Sequence, residues 1–241
     1  MSGIFILALL VGDDKAATEA IEKFKAEYKS KETAAKVKAI EDLTPVQHEK
    51  VTARLVALFT AEEKDVRIAA AKALGARTDD KEKKKASLAL GSVLKSNEKW
   101  PEIQTAILET IAKLGDEAGL PEAHKLIAAE TADLAQAAIA TAGTIKSRTS
   151  FDPLIKRLKE VDELLKPRDP SQPRGGFGGG RLLGGNNSPQ NAREMRELAR
   201  TLQPILKKTL AEMGGIHCED GKDWELWWKE NQAKYKAPPK S

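Results

Sequence analysis

The sequence predicts an all-α protein assembled from stacked helix pairs, and three observations predict it. Ala, Leu, Lys and Glu dominate the 241 residues while valine and other β-branched side chains are thin, a balance favouring helix over sheet. Apolar side chains recur at i, i+3, i+4 and i+7 in one segment after another. Those segments themselves recur at intervals in the thirties, so the helical unit repeats along the chain.

Composition bounds the rest. Hydrophobic residues make up 41% of the chain, enough for a continuous core, and charged residues reach 32%, as exposed helix faces require. Forty basic against 36 acidic residues leave a net charge of +4, too small to argue for nucleic acid. A single cysteine, Cys218, excludes an intrachain disulfide framework and a multi-thiolate metal site.

The chain opens on Gly3-Ile-Phe-Ile-Leu-Ala-Leu-Leu-Val11-Gly12, then turns polar at Asp13. About nine apolar residues are too few to span a bilayer as a helix. They suit the apolar core of a secretory signal peptide, or a first helix packed on the repeats. An exported or periplasmic protein is the favoured expectation, a cytoplasmic one the alternative. No other stretch has the length and apolarity of a transmembrane helix.

Helix starts follow in order. Thr44-Pro45-Val46-Gln47 reads as a cap, a first-position proline and a capping-box glutamine. Asp152-Pro153 and Ser188-Pro189 repeat the cap-plus-proline device, Pro101 and Pro121 open two further helices, and Asp65 and Asp223 read as caps. Within these segments Val66, Ala69, Ala70, Ala73 and Leu74 form one apolar stripe. Ile103, Ala106, Ile107, Ile111 and Leu114 form a second, and Ala135, Ala138, Ile139 and Ala142 a third. Their last anchors, with Leu43 before them, are Leu43, Leu74, Ile111 and Ala142, separated by 31, 37 and 31 residues. Two-helix units at such a period predict an α-solenoid, because no pair buries its apolar face without a neighbour.

The segment Asp65-Val66-Arg67-Ile68-Ala69-Ala70-Ala71-Lys72-Ala73-Leu74-Gly75 resembles the second helix of a HEAT repeat. The helices ending at Ile111 and Ala142 keep the stripe without the arginine. The resemblance spans about residues 30 to 166 and implies a right-handed α-α superhelix of armadillo type. It also implies that Asp65, Arg67, Leu74 and Gly75 serve the fold, with Asp65 and Arg67 linking neighbouring repeats.

From Pro167 to about Asn191 the composition changes to Gly, Pro and Arg without an apolar period, which predicts a flexible insertion. Helices resume from Ala192 to Met213, with Pro204 kinking or dividing them, and Gly214-Gly215 ends the unit. Trp224, Trp227 and Trp228 then share one face of a last helix. The expected organisation is an apolar segment at 1–12, repeats at 13–166, the insertion at 167–191, a final repeat and cap at 192–236, and a disordered tail at 237–241.

The tryptophan face suits a sugar platform or a binding hot spot. It equally suits closure of the solenoid's last open face, the preferred reading. Helices with this Trp-x-x-Trp-Trp pattern resemble those closing some bacterial HEAT-like proteins. Arg174-Gly-Gly-Phe177 with Arg181 is similar to RNA-binding RGG segments, but a single unit reads as a solvated loop. His48-Glu49 resembles the pairs of HEAT-repeat di-iron hydroxylases, which repeat the pair where this chain has it once. His217-Cys218-Glu219-Asp220 lacks a second cluster for a metal shell, and Cys218 lacks a base. The mixed run Asp79–Lys85 reads as a solvated outer helix.

These residues lead to the expectation of a non-enzymatic scaffold without cofactor or metal. It would hold a protein or peptide on its inner helices through exposed Lys72, Arg77, Gln104, Glu109 and Gln136. A nucleic-acid-binding repeat protein, disfavoured by mixed inner charge, and an enzyme or accessory subunit are the alternatives.

Overall fold

A computed structural model describes residues 14–167 and 189–236. The apolar leader, the Gly-rich stretch with Arg174, Phe177 and Arg181, and the tail lie outside them. Eleven α-helices occur among the described residues, and no strand. They are α1 (Asp14–Glu27), α2 (Thr33–Leu43), α3 (Glu49–Ala57), α4 (Lys64–Leu74), α5 (Asp80–Leu94) and α6 (Pro101–Leu114). Then come α7 (Leu120–Leu126), α8 (Ala132–Ile145), α9 (Phe151–Leu165), α10 (Pro189–Gly214) and α11 (Gly221–Asn231).

Each odd helix from α1 to α9 packs on the even helix that follows it. Across pairs, α2, α4, α6, α8 and α10 touch in succession, as do α1, α3, α5 and α7, and α11 lies on α9. The described helices thus form two contact rows, α2 to α10 by even number and α1 to α7 by odd number, over one core. All three expected stripes point into it: Val66, Leu74, Ile103, Ile107, Ile111, Ala135 and Ile139 are wholly buried. Burial of each Leu or Ile contributes roughly 1.5–3 kcal/mol.

Helix starts divide into those the local code decides and those it does not. Pro101 and Pro121 do open α6 and α7, where a missing amide is harmless. Four expectations need correction. Thr44 ends α2 and its hydroxyl donates to the Ile40 carbonyl, while α3 is capped by His48, whose Nδ1 accepts from the Lys50 amide. Asp65 lies in the first turn of α4 behind the N-cap residue Glu63. Asp220, accepting from the Lys222 and Asp223 amides, caps α11 in place of Asp223. Asp152 and Pro153 fall inside α9, because a 3-10 turn at Arg148–Ser150, capped by Ser147, runs straight into it.

Pro204 does not divide α10, which runs through it for 26 residues. Leu198, Leu202, Leu206 and Leu210 form a buried stripe on both sides of the proline, so packing on α8 and α9 outweighs one lost amide bond.

Neighbouring pairs are stitched by side chains reaching the next turn. Gln47 donates to the Ala76 carbonyl and accepts from the Thr78 amide, both at 3.1 Å. Arg67 of α4 donates to the Ala61 carbonyl and to Asn97 Oδ1 at 2.9 Å in the turn after α5, while Asp65 is exposed. Ser87 donates to the Asp116 carbonyl and accepts from the Gly119 amide, both at 3.0 Å. Small residues set the crossings: a Cβ on Gly75 would lie 3.0 Å from Thr110 Cγ2, and one on Gly143 2.7 Å from Thr209 Cγ2.

Candidate functional site

Two places merit attention: the outward face of the even row and the aromatic end formed by α9 and α11. On the even row the expected contact residues separate into two groups. Lys72 on α4 and Glu109 on α6 are exposed, and Gln136 on α8 is half-buried. They lie on successive helices of one row.

Arg77 and Gln104 are corrections, being only 2% and 3% exposed. Arg77 sits in the turn after α4 and donates to the Val46 carbonyl at 2.8 Å and to the Thr44 carbonyl. Burial pushes its pKa down to about 10. Gln104 donates to the Leu94 carbonyl at 3.0 Å, closing the end of α5 against α6. Both side chains found backbone acceptors in neighbouring elements, and a buried carbonyl holds a long polar side chain inside as firmly as water holds it outside.

Half-buried Val37, Ile68, Thr105 and Gln136 run across α2, α4, α6 and α8. At the helix N-termini, Lys36 pairs with Glu63 and Lys64 with Glu102 at 2.8 Å. The first pair joins α2 to the N-cap residue of α4, and the second joins α4 to α6. The lysine partners hold both carboxyls below their ordinary range. Lys64 also lies over the Trp100 ring, 4.2 Å from its centroid.

At the aromatic end, Trp224 and Trp228 are buried and Trp227 is half-buried. Trp228 stacks on Phe151 and its indole N–H donates to Asp152 Oδ1 at 3.0 Å. Tyr235 stands edge-on to Phe151 and donates its hydroxyl to the Lys146 and Met213 carbonyls. Beside them a cavity of about 350 Å³ is lined by Met213, Gly214, Trp227, Asn231 and Tyr235 among others. The buried rings are spent on packing α11 to α9, and the half-buried Trp227 and Tyr235 offer a surface. Neither Phe151 nor Tyr235 stood out in the sequence, since a lone aromatic at a helix start or beyond a helix end carries no period.

The titratable candidates are dispersed. His48 Nε2 faces Asp14 Oδ1 at 3.0 Å, and its neighbour Glu49 pairs with Lys85 at 2.9 Å across to α5. His124 Nε2 meets Ser150 Oγ at 2.9 Å. Burial, then the Asp223 and Asp220 carboxylates, push the Cys218 thiol up, the reverse of what an activated nucleophile needs. Among the described residues no three His, Cys, Asp or Glu side chains converge as a metal site. No helix there is long and apolar enough to cross a membrane.

No family model matches the chain, and no curated protein matches it. Among solved structures, the crystal structure of an engineered protein aligns with 84% of this chain and 95% of its own, at 16% identity and a TM-score of 0.40.

Proposed function

We propose that the chain is a non-catalytic HEAT-like α-solenoid scaffold that holds a protein or peptide partner against the exposed face of its even-numbered helices. One observation carries the reading: helix follows helix in two rows, and hydrogen bonds join residues about one repeat apart. Lys36–Glu63, Gln47–Ala76, Arg67–Asn97, Ser87–Asp116 and Thr141–Leu108 are separated by 27 to 33 residues. Repetition of this kind extends a surface without enclosing a cavity, and an extended surface suits a partner of many contacts more than a small substrate.

Within this reading α11 is the closing element, laying Trp224 and Trp228 over α9 where a further repeat would otherwise dock. The segment between α9 and α10 is an insertion in the solenoid. Lys72, Glu109 and Gln136 are contact residues; Asp65, Arg67, Leu74 and Gly75 belong to the repeat.

A photo-crosslinking side chain at position 72 or 109 tests the proposal, with one at exposed Leu88 on α5 as the outer-row control. Adducts with one defined protein from the native host, formed at 72 and 109 and absent at 88, are expected. Adducts formed only from position 88, or none from a well-folded protein, overturn it.

A further inference from the structure

The cavity of about 350 Å³ at the aromatic end has one wall made by the last described residues of the chain. After α11 the backbone turns at Lys234, whose amide donates to the Asn231 carbonyl, and comes back to the end of α10. Tyr235 is fixed there, its hydroxyl reaching the Lys146 and Met213 carbonyls and its ring edge-on to Trp228. Lys236 follows in the cavity wall, and the next three residues are Ala237-Pro238-Pro239.

The cavity offers an aromatic ring and a spare donor. A Cβ on Gly214 would lie 3.2 Å from Trp227 Cη2, so α10 supports that ring from one edge. A Cβ on neighbouring Gly215 would meet nothing within 4 Å, and there the wall opens. Trp228 gives its indole N–H to Asp152 and Trp224 is wholly buried. Half-buried Trp227, by contrast, has no acceptor for its N–H among the described residues. An exposed aromatic face with a free N–H suits proline: the pyrrolidine ring rests on the aromatic face, and a nearby backbone carbonyl accepts from the donor.

We propose that Ala237-Pro238-Pro239 folds back into this cavity, laying a proline ring on Trp227 and offering the Ala237 or Pro238 carbonyl to its indole N–H. Reach favours these residues over a separate partner. At about 3.1 Å per residue in polyproline II, Pro238 stands about 6 Å and Pro239 about 9 Å beyond Lys236, itself in the wall. Preorganisation favours them too. Proline fixes its own φ and holds the residue before it to extended backbone, so two successive prolines surrender little freedom on docking. A segment tethered this closely also meets the cavity at an effective concentration of about millimolar, which a free peptide rarely matches. The tail then finishes the closure that α11 begins, whether or not the even row holds a partner.

NMR of the full-length protein tests it. The indole N–H signals of Trp227 and Trp100 are assigned from the peaks lost in Trp227→Phe and Trp100→Phe. Cross-peaks from the Pro238 or Pro239 ring protons to the Trp227 ring are expected, together with slowed exchange of its N–H. Pro238→Ser with Pro239→Ser should remove those cross-peaks, shift the Trp227 signal and speed its exchange severalfold. The Trp100 signal, at the start of α6, should stay in place. A Trp227 signal identical in wild type and double variant overturns the proposal. So does a free Ala-Pro-Pro-Lys peptide that moves the Trp227 signal as readily in the wild type as in the variant, because the cavity is then open to a separate partner. Cross-peaks that pass only between differently labelled copies overturn it as well, and give the cavity to a second chain.

Discussion

The ring of Trp228 lies on the ring of Phe151, centroids 4.1 Å apart and planes 13° from parallel, and this stack joins the last helix to the start of α9. The same indole donates to Asp152 Oδ1, so one side chain supplies both contact area and orientation. Trp228→Ala should destabilise the protein by about 3–5 kcal/mol, the range for a large buried aromatic. Trp228→Phe keeps much of the stack and loses the hydrogen bond, at about 1 kcal/mol. Denaturant midpoints read at constant slope separate the two. Equal losses would show that the stack contributes nothing beyond orientation.

Arg77 and Gln47 close the same pair of turns. Arg77→Met keeps the stem and leaves the Thr44 and Val46 carbonyls without their donor, for an expected loss of about 1–3 kcal/mol. The loss stays moderate because burial already opposes the charged guanidinium, as its lowered pKa of about 10 records. Combined with Gln47→Leu, the loss should be smaller than the two single losses added, since one latch is being opened twice. Strict additivity would show two independent contacts.

Gly143 is a test of crossing distance with a change of sign. In the wild-type background Gly143→Ala places a methyl 2.7 Å from Thr209 Cγ2, an overlap between α8 and α10 costing about 1–3 kcal/mol. In a Thr209→Ser background that methyl is gone, and the helix propensity gain of Ala over Gly, up to about 1 kcal/mol, should show. Thermal melts of the four proteins decide it. Gly143→Ala destabilising both backgrounds equally would remove Thr209 as the reason for the glycine.

His124 predicts an acid-side loss of stability. Burial lowers its pKa below the ordinary 6.5, so on acidification the unfolded state takes up the proton first. Its contribution is complete above about 6.5 and is lost as pH falls below that value. Unfolding free energy followed from pH 7 to pH 5 should fall, and His124→Gln should flatten the fall. An identical slope in the variant would assign the acid sensitivity to other groups.

Much of the helical layer was legible because its causes are local. Pro101 and Pro121 open helices wherever they stand in a chain, and a stripe such as Ile103, Ile107 and Ile111 reads the same in sequence and in the core. The Thr44-to-Gln47 pattern misled for the opposite reason. A capping box competes for Gln47 with the Ala76 carbonyl and the Thr78 amide, which lie about one repeat away and enter no local rule. Phe151 and Tyr235 were silent because their partners, Trp228 and two helix-end carbonyls, are distant in the chain.

The repeat interval, the apolar stripes and the tryptophan face were determined by the sequence alone, since i, i+4 geometry puts periodic side chains on one side of any helix. Which polar residues stay outside was decided by tertiary structure. Arg77 and Gln104 look as hydrophilic as Lys72 and Glu109, yet they go inward because stacking brings unfilled carbonyls within their reach. A polar side chain settles wherever its donors or charge are satisfied, and for these four only the arrangement of the neighbouring turns made the difference.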